Sequence, residues 1–455
     1  MQDYDSIIKN LFARHQSVQN AGFTSDSYKP GLDRIRELDA RIGYPSEHLR
    51  FVHVAGTNGK GSVCSMLAAS LAGSGYRVGL FTSPHLLDFR ERIKIVSDGG
   101  WEMIPQESVL EFLYKYDSQE LSFFEITTGM ALWYFHRCQV DIAVLEVGLG
   151  GLLDSTNIVV PEVAVVTSIG LDHCALLGDT RAEIASQKAG ILKTGVPAVV
   201  GEWDEETAPV FEAAAAAAHC PLFFASDSVE SRGCLSGEGD NNRLDAESPF
   251  QAGTRDDPLE GIVAKMDLKG EWQSRNLRTV LCTLDLLGED PDWDALCHAA
   301  AITGLRGRWE ALDLSALCGV TQEEGPLAIA DIGHNPAALK ENFARLGGMM
   351  AGGDFDKLTI VYGVMADKDL DGIIPLMPVQ AEYLFVAPDT PRALPASVIL
   401  SKAKDLLPSS RACTSVADAL RLAVAEATPH SLIYVGGSAF VVADCLKFLE
   451  SLKNG

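Results

Sequence analysis

The stretch "HVAGTNGKGS", His53 to Ser62, decides the fold, because a strand-like run, a glycine-rich loop and the start of an apolar helix meet inside it. The usual phosphate-loop pattern, G-x-x-x-x-G-K-[ST], wants Gly where this chain has Val54 and a hydroxyl residue where it has Gly61. Its flanks supply the missing context. "FVHVA" (51–55) reads as a buried strand, and "SVCSMLAASLAGSG" (62–75) as a helix ending near Gly73 or Gly75. In such a strand–loop–helix unit, backbone N–H groups from Gly56 to Ser62 converge on phosphate oxygens. The helix N-terminus adds partial positive charge, and Lys60 neutralises the outer phosphates. Thr57 or Ser62 would orient phosphate or metal. The competing reading is an ordinary tight turn that contains a lysine.

Outward from this loop, "YRVGLFTS" (76–83), "DIAVLEVG" (141–148) and "EVAVVTSIG" (162–170) are further apolar runs alternating with helix-like segments. Strands buried on both faces and separated by helices predict a mainly parallel sheet covered by helices. The six alanines from Ala213 to Ala218 predict helix. The polar stretch 226–257 is left as a surface loop or irregular hairpin. Around "ITGLRGRWEALD" (302–313) the chain changes character, and the rhythm restarts with "PLAIADIGHN", "KLTIVYGVMADKD", "EYLFVAPD" and "HSLIYVGGS". We therefore expect an α/β protein: a P-loop-type, mainly parallel sheet domain over 1–303, then a smaller Rossmann-like α/β domain over 304–455.

Size agrees, since 455 residues exceed one ordinary core. With 47% hydrophobic and 22% charged residues the chain is globular, and its net charge of −25 disfavours nucleic acid and anionic membranes. An anionic ligand would need a locally positive site. Ten cysteines without a C-x-x-C pair fit a reducing compartment. No apolar stretch reaches membrane-spanning length and the start lacks a signal-peptide core, so a soluble cytoplasmic protein is expected.

Polar residues interrupt the strand ends. Thr82, Ser83 and His85 follow one run, Glu146 ends another, and Asp172 and His173 follow a third. In parallel α/β sheets ligands bind beyond the carboxyl ends of strands. Ser, Glu and His gathered there beside a phosphate loop suit a magnesium ion, although each alone is an ordinary turn residue. Lys188 and Lys193 lie on "EIASQKAGILK" (183–193), whose spacing reads as an amphipathic helix with solvated lysines. In the second half, Asp331, His334 and Asn335 end an apolar run, while Arg308 and Glu310 fall at the expected domain joint. Arg308 could equally be a surface ion-pair partner.

The motifs "HVAGTNGKGS", "FTSPHLLDFRERI", "LEVGLGG", "DSTNI", "TSIGLDH", "LLGDT" and "QKAGILK" follow one another as in the ATP-dependent Mur ligase superfamily. The "TSPHL…ERI" segment resembles its folate branch, the folylpolyglutamate and dihydrofolate synthases. "KGEWQSRN", "RGRWE", "DIGHNP" and "GVMADKD" resemble later motifs of that branch, so the likeness covers roughly residues 28 to 440. The loop's departures from the usual pattern are then the family's own variant. The resemblance implies ATP held by Gly56, Thr57, Asn58, Gly59, Lys60, Gly61 and Ser62, with Asn276, Arg308 and Asp331 completing the nucleotide site. It implies Mg2+ on Ser83, Glu146 and His173, with Lys188 carbamylated beside the metal. Lys60, Lys188 and His334 would be the catalytic residues, His334 positioning ATP or L-glutamate. Pterin recognition would fall to Gly31, Leu32, Phe124, Thr127 and Asp154. The activity implied is amide formation between a dihydropteroate or folate carboxylate and L-glutamate, through an acyl phosphate, by a monomer acting on small molecules.

Some positions depart from the family pattern. Leu152 stands where an arginine is expected, Ser155 replaces a small Ala, Gln187 replaces a frequent Glu and Ile332 a frequent Gly. Two other readings stay open: a Mur-type ligase acting on a cell-wall precursor, and an inactive nucleotide-binding relative with Leu152 as its symptom.

Overall fold

The computed structural model describes residues 3–15, 29–225, 259–270 and 272–453. The polar stretch 226–257, expected as a loop, lies outside them. The chain divides into two compact units: one reaches Leu305, and the other starts at Arg306 and includes Leu86–Phe89.

The first unit is built on an eight-stranded sheet, ordered β4-β3-β2-β5-β1-β6-β7-β8. Its strands are β1 (Phe51–Ala55), β2 (Val78–Phe81), β3 (Ile93–Ser97), β4 (Gly100–Met103), β5 (Ile142–Glu146), β6 (Val163–Val166), β7 (Ala198–Val200) and β8 (Leu222–Phe224). β1 pairs in parallel with β5 and β6, and β2 in parallel with β5, so all four point the same way. Every residue of these four strands is buried. That explains apolar runs rather than alternation. The sequence does not announce the antiparallel edge, where β3 pairs with β2 and β4.

The helix Lys60–Gly73 starts two residues earlier than its apolar pattern suggests, and Gly61 through Ala72 are all buried. It is apolar on every side because it is enclosed: Met66, Leu67 and Leu71 share a core with Val52, Val144 and Val165 of the sheet and with Leu277, Val280 and Leu284 of the helix Trp272–Leu287. The alanine tract lies in the helix Ala208–Ala218.

The second unit carries a six-stranded sheet, ordered β13-β12-β11-β14-β10-β9. These are β9 (Glu310–Ala311), β10 (Leu327–Asp331), β11 (Lys357–Tyr362), β12 (Glu382–Phe385), β13 (Ser410–Ala412) and β14 (Ser431–Gly436). All pairs are parallel except β9 with β10. One face packs Ala328, Ala330, Val361, Leu384, Ile433 and Val435 against Leu420, Val442 and Leu446 of two helices.

Leu67 is fully buried in the first core. Leu67→Ala should lower the unfolding free energy of the first unit by about 2–5 kcal/mol, read as a drop in its urea midpoint. A change under about 1 kcal/mol would mean the helix is not enclosed as described.

Candidate active site

Because β2, β5, β1 and β6 are parallel neighbours, their carboxyl ends bring Thr82 and Ser83, Glu146, the 56–62 loop and residues 167–173 to one edge of the first sheet. Hydrogen bonds then fasten the loop to the segment after β6. Thr57 N donates to Ser168 O (2.8 Å), and Asn58 N to Ser168 Oγ (3.1 Å). The Thr57 hydroxyl donates to Gly170 O (3.1 Å) and accepts from Gly170 N (3.0 Å). Thr167 Oγ1 and Ser168 Oγ both donate to Asn58 O, at 2.6 and 3.0 Å. Thr167 and Ser168 were not singled out from sequence; the signal was a Thr-Ser pair closing a β-branched run.

Two glycines of the loop are required by geometry. Gly56 has φ +149° and Gly59 φ +87°. An added Cβ would collide with Thr167 Oγ1 at Gly56 and with Asn276 Oδ1 at Gly59. Asn276, on the helix Trp272–Leu287, is thereby brought against the loop, its amide donating to Gln273 Oε1 (2.9 Å). Gly59 caps the helix Lys60–Gly73 without any side-chain bond, which leaves its first N–H groups available to an anion.

Lys60 Nζ folds back onto Gly56 O (3.0 Å) and Thr57 O (3.2 Å). Lys188 Nζ reaches the same Gly56 carbonyl from the helix Arg181–Ala189, at 2.8 Å. Lys188 is only 4% exposed, so the solvated lysine suggested by spacing is corrected: the helix turns this face inward. Burial, and then the nearby Lys60 charge, push its pKa down to about 7. Lys193 is half-buried and donates to Asn157 O (3.0 Å).

Glu146 is 2% exposed, and its Oε2 accepts from Ser83 N (2.9 Å), tying two of the expected metal residues together. His173 sits in the left-handed region at φ +53°, heading a one-turn helix, with its N–H on Asp172 Oδ1 (2.9 Å). Among the described residues, no group of three or more His, Cys, Asp and Glu side chains stands ready to hold a metal. The expected set is leaner, with one carboxylate, one hydroxyl, one imidazole and Lys188 as its carbamate. Mg2+ tolerates such a set because it keeps several waters.

The expected substrate residues divide. Gly31 (φ +116°) and Leu32 precede the helix Asp33–Arg41. The Phe124 ring lies against Gly148, where a Cβ would strike it. Thr127 departs from a contact role: it is fully buried, and its hydroxyl donates to Phe124 O (3.1 Å) within its own helix. Asp154 also turns inward. Its carboxylate accepts from Leu149 N (2.8 Å), Thr156 N (3.0 Å) and the Thr156 hydroxyl (2.5 Å), bracing the glycine-rich loop after Glu146. Thr156 Oγ1 is 2.8 Å from His53 Nε2 on β1. Leu152, in place of an arginine, is 45% exposed, with its N–H on Gln187 O (2.8 Å).

In the second unit, Asp331 ends β10 and is buried, while Trp309 N donates to it (3.0 Å). Arg308 precedes that tryptophan. His334 Nδ1 lies 3.1 Å from Ile332 O.

Comparison with known proteins places this geometry. The Mur ligase middle domain matches residues 54–283, and the Mur ligase glutamate ligase domain matches 317–439. The Dihydrofolate synthase/folylpolyglutamate synthase of Escherichia coli K12 is 31% identical over 93% of this chain and 92% of its own length. A probable bifunctional folylpolyglutamate synthase/dihydropteroate synthase of Haloferax volcanii is 34% identical over 91% of this chain, which spans only 48% of that relative. Among solved structures, E. coli FolC in complex with DHPP and ADP superposes with a TM-score of 0.77, at 28% identity and 99% coverage of both chains. A bifunctional folylpolyglutamate synthase/dihydrofolate synthase with Mn, AMPPNP and L-glutamate bound gives 0.75, at 27% identity, covering 99% of this chain and 98% of that one.

The Lys188 environment makes a test independent of activity. Its folded pKa lies below the ordinary lysine value, so between about pH 7 and 10 the unfolded chain binds more protons at this site, and its contribution to stability rises with pH. In CO2-free buffer, the urea midpoint of the wild type should therefore gain on that of Lys188→Met from pH 7 to 10. Parallel curves would contradict the buried amine.

A strand-end loop shaped by close-approach glycines, two lysines on one carbonyl and matches along nearly the whole chain lead to one assignment: the chain belongs to the folylpolyglutamate synthase/dihydrofolate synthase family of Mur ligases.

Proposed function

We propose that the chain is an ATP-dependent ligase that joins L-glutamate to the carboxylate of dihydropteroate or a folate through an acyl phosphate, serving both as dihydrofolate synthase and as folylpolyglutamate synthase. The observation that carries this reading is Lys60 folded onto the Gly56 carbonyl within a glycine loop that ends in an uncapped helix N-terminus. In a chain of net charge −25, this is a locally positive site suited to a polyphosphate. The relatives are named for the same two activities, and their solved structures hold ADP, AMPPNP, Mn and L-glutamate.

A carboxylate resists attack by an amine because it has no adequate leaving group. Transfer of the γ-phosphoryl group to a carboxylate oxygen creates one. The glutamate amine then adds to the acyl carbon, and the tetrahedral intermediate collapses to amide and inorganic phosphate. Residues Gly56 to Ser62 would hold the phosphates and Lys60 would stabilise charge on the transferring group. Asn276, Arg308 and Asp331 would complete the nucleotide site, and His334 would position ATP or glutamate. Ser83, Glu146 and His173, with Lys188 as its carbamate, would hold a divalent cation, which supplies charge neutralisation at the phosphoryl group. A pKa near 7 supports that modification, because only the neutral amine combines with CO2. Gly31, Leu32, Phe124 and the loop braced by Asp154 would receive the pterin. A domain division at 303/304, a monomeric state and a cytoplasmic location complete the proposal; among the described residues no helix is long and apolar enough to cross a membrane.

With Mg-ATP and L-glutamate, phosphate release should appear with dihydropteroate and with tetrahydrofolate, and vanish without glutamate. Release with one acceptor alone would limit the enzyme to one step, and ATP binding without any release would favour an inactive nucleotide-binding relative. Gly59→Ala should remove phosphate release by at least about a hundredfold, since the new Cβ meets Asn276 in a backbone conformation that disfavours side chains. Retained activity in that variant would contradict the proposed phosphate loop.

A further inference from the structure

Arg308 is flanked by two residues in the left-handed region, Gly307 at φ +69° and Trp309 at φ +51°. The second is costly for a bulky side chain and persists only where the surroundings enforce it. Several groups do so. The Trp309 ring is buried 6.0 Å from Tyr434, with the Arg345 guanidinium 4.5 Å above it. Its N–H donates to Asp331 Oδ2 (3.0 Å). Gly307 is held by its carbonyl, which accepts from Ile332 N (3.0 Å), and by its N–H on Glu310 Oε2 (2.7 Å).

Asp331 is itself held in place. Its Oδ1 accepts from Gly333 N (2.8 Å) and from Asn342 Nδ2 (2.7 Å). Asn342 is 1% exposed, on the helix Pro336–Ala351, and the same Nδ2 donates to the Tyr434 hydroxyl (3.0 Å). Both hydrogens of one amide are thus spent on fixing a carboxylate and a phenol from adjacent strands, β10 and β14. The cost of this placement is visible: Asn342 Oδ1 is buried without a hydrogen-bond partner. A leucine of similar size would remove the unpaired Oδ1 but also the donor to Asp331 and to the buried Tyr434 hydroxyl, so what the amide supplies is the placement of those two groups.

We infer that Asn342 is a positioning residue for nucleotide binding: by fixing Asp331 it fixes the backbone of Trp309, and so aims Arg308. Asn342 need not touch the ligand. This inference rests on the proposed nucleotide role of Arg308.

The experiment is a double-mutant cycle on the full-length enzyme, with Asn342→Leu, Arg308→Ala and the pair. The readouts are the dissociation constant for Mg-ADP, the KM for ATP and kcat. Arg308→Ala tests the underlying reading: unchanged affinity for ADP and ATP in that variant would refute it, and with it the inference. If Arg308→Ala weakens binding, Asn342→Leu should weaken it on the order of tenfold through KM, leave kcat within about twofold, and add nothing once Arg308 is gone. Additive losses, or full affinity in Asn342→Leu, would overturn the positioning role and leave Arg308 intact. Tyr434→Phe guards against misfolding of Asn342→Leu. It removes only one acceptor and keeps the bond to Asp331, so its affinity should stay within about twofold; a tenfold loss would place the effect in core packing instead.

Discussion

The carbonyl of Gly56 accepts from two lysine amino groups, Lys60 at 3.0 Å and Lys188 at 2.8 Å. Two cations this close repel each other, and burial makes the repulsion stronger. Burial first, and this repulsion second, push the Lys188 pKa down to about 7. Anionic phosphate, or conversion of one amine to a carbamate, would relieve that repulsion. A locally positive loop of this kind suits a surface that must attract a polyphosphate to a strongly acidic protein.

Holding the lysines there requires a rigid frame. β1 is central, with parallel neighbours on both sides, and its following helix is buried all round. The frame fixes where the loop starts and ends. The Thr167–Gly170 segment, bonded to Thr57 and Asn58, fixes its path between. Asp154 does the same for the glycine loop after Glu146. In each case a polar side chain is used up inside the protein so that a loop can present backbone groups outward.

The parallel core was legible in sequence because strands buried on both faces must be continuous apolar runs, as in "FVHVA" and "DIAVLEVG". The phosphate loop was legible because glycine is forced wherever a Cβ would collide, as at Gly56 and Gly59. Helical spacing alone makes Lys188 a solvated lysine because it describes one face of a helix, whereas the helix here turns this lysine into the core; only the family resemblance places it at the site. Asp154 shows the converse difficulty. A polar residue beside a glycine loop looks the same in sequence whether it meets a ligand or holds the loop, and only the hydrogen-bond partners separate the two. The network of Asp331, Asn342 and Tyr434 joins residues more than ninety positions apart in part, which no local pattern records.

What most directly tests the chemistry assigned to this site is the fate of the acceptor's carboxylate oxygen. With dihydropteroate labelled with 18O in its carboxylate, activation through an acyl phosphate must move one labelled oxygen into inorganic phosphate for each amide formed, measurable by mass spectrometry or by the isotope shift in 31P NMR. Label in the phosphate at that stoichiometry is the expected result. Amide formation with unlabelled phosphate would contradict phosphoryl transfer to the carboxylate, and with it the role given to Lys60 and the phosphate loop.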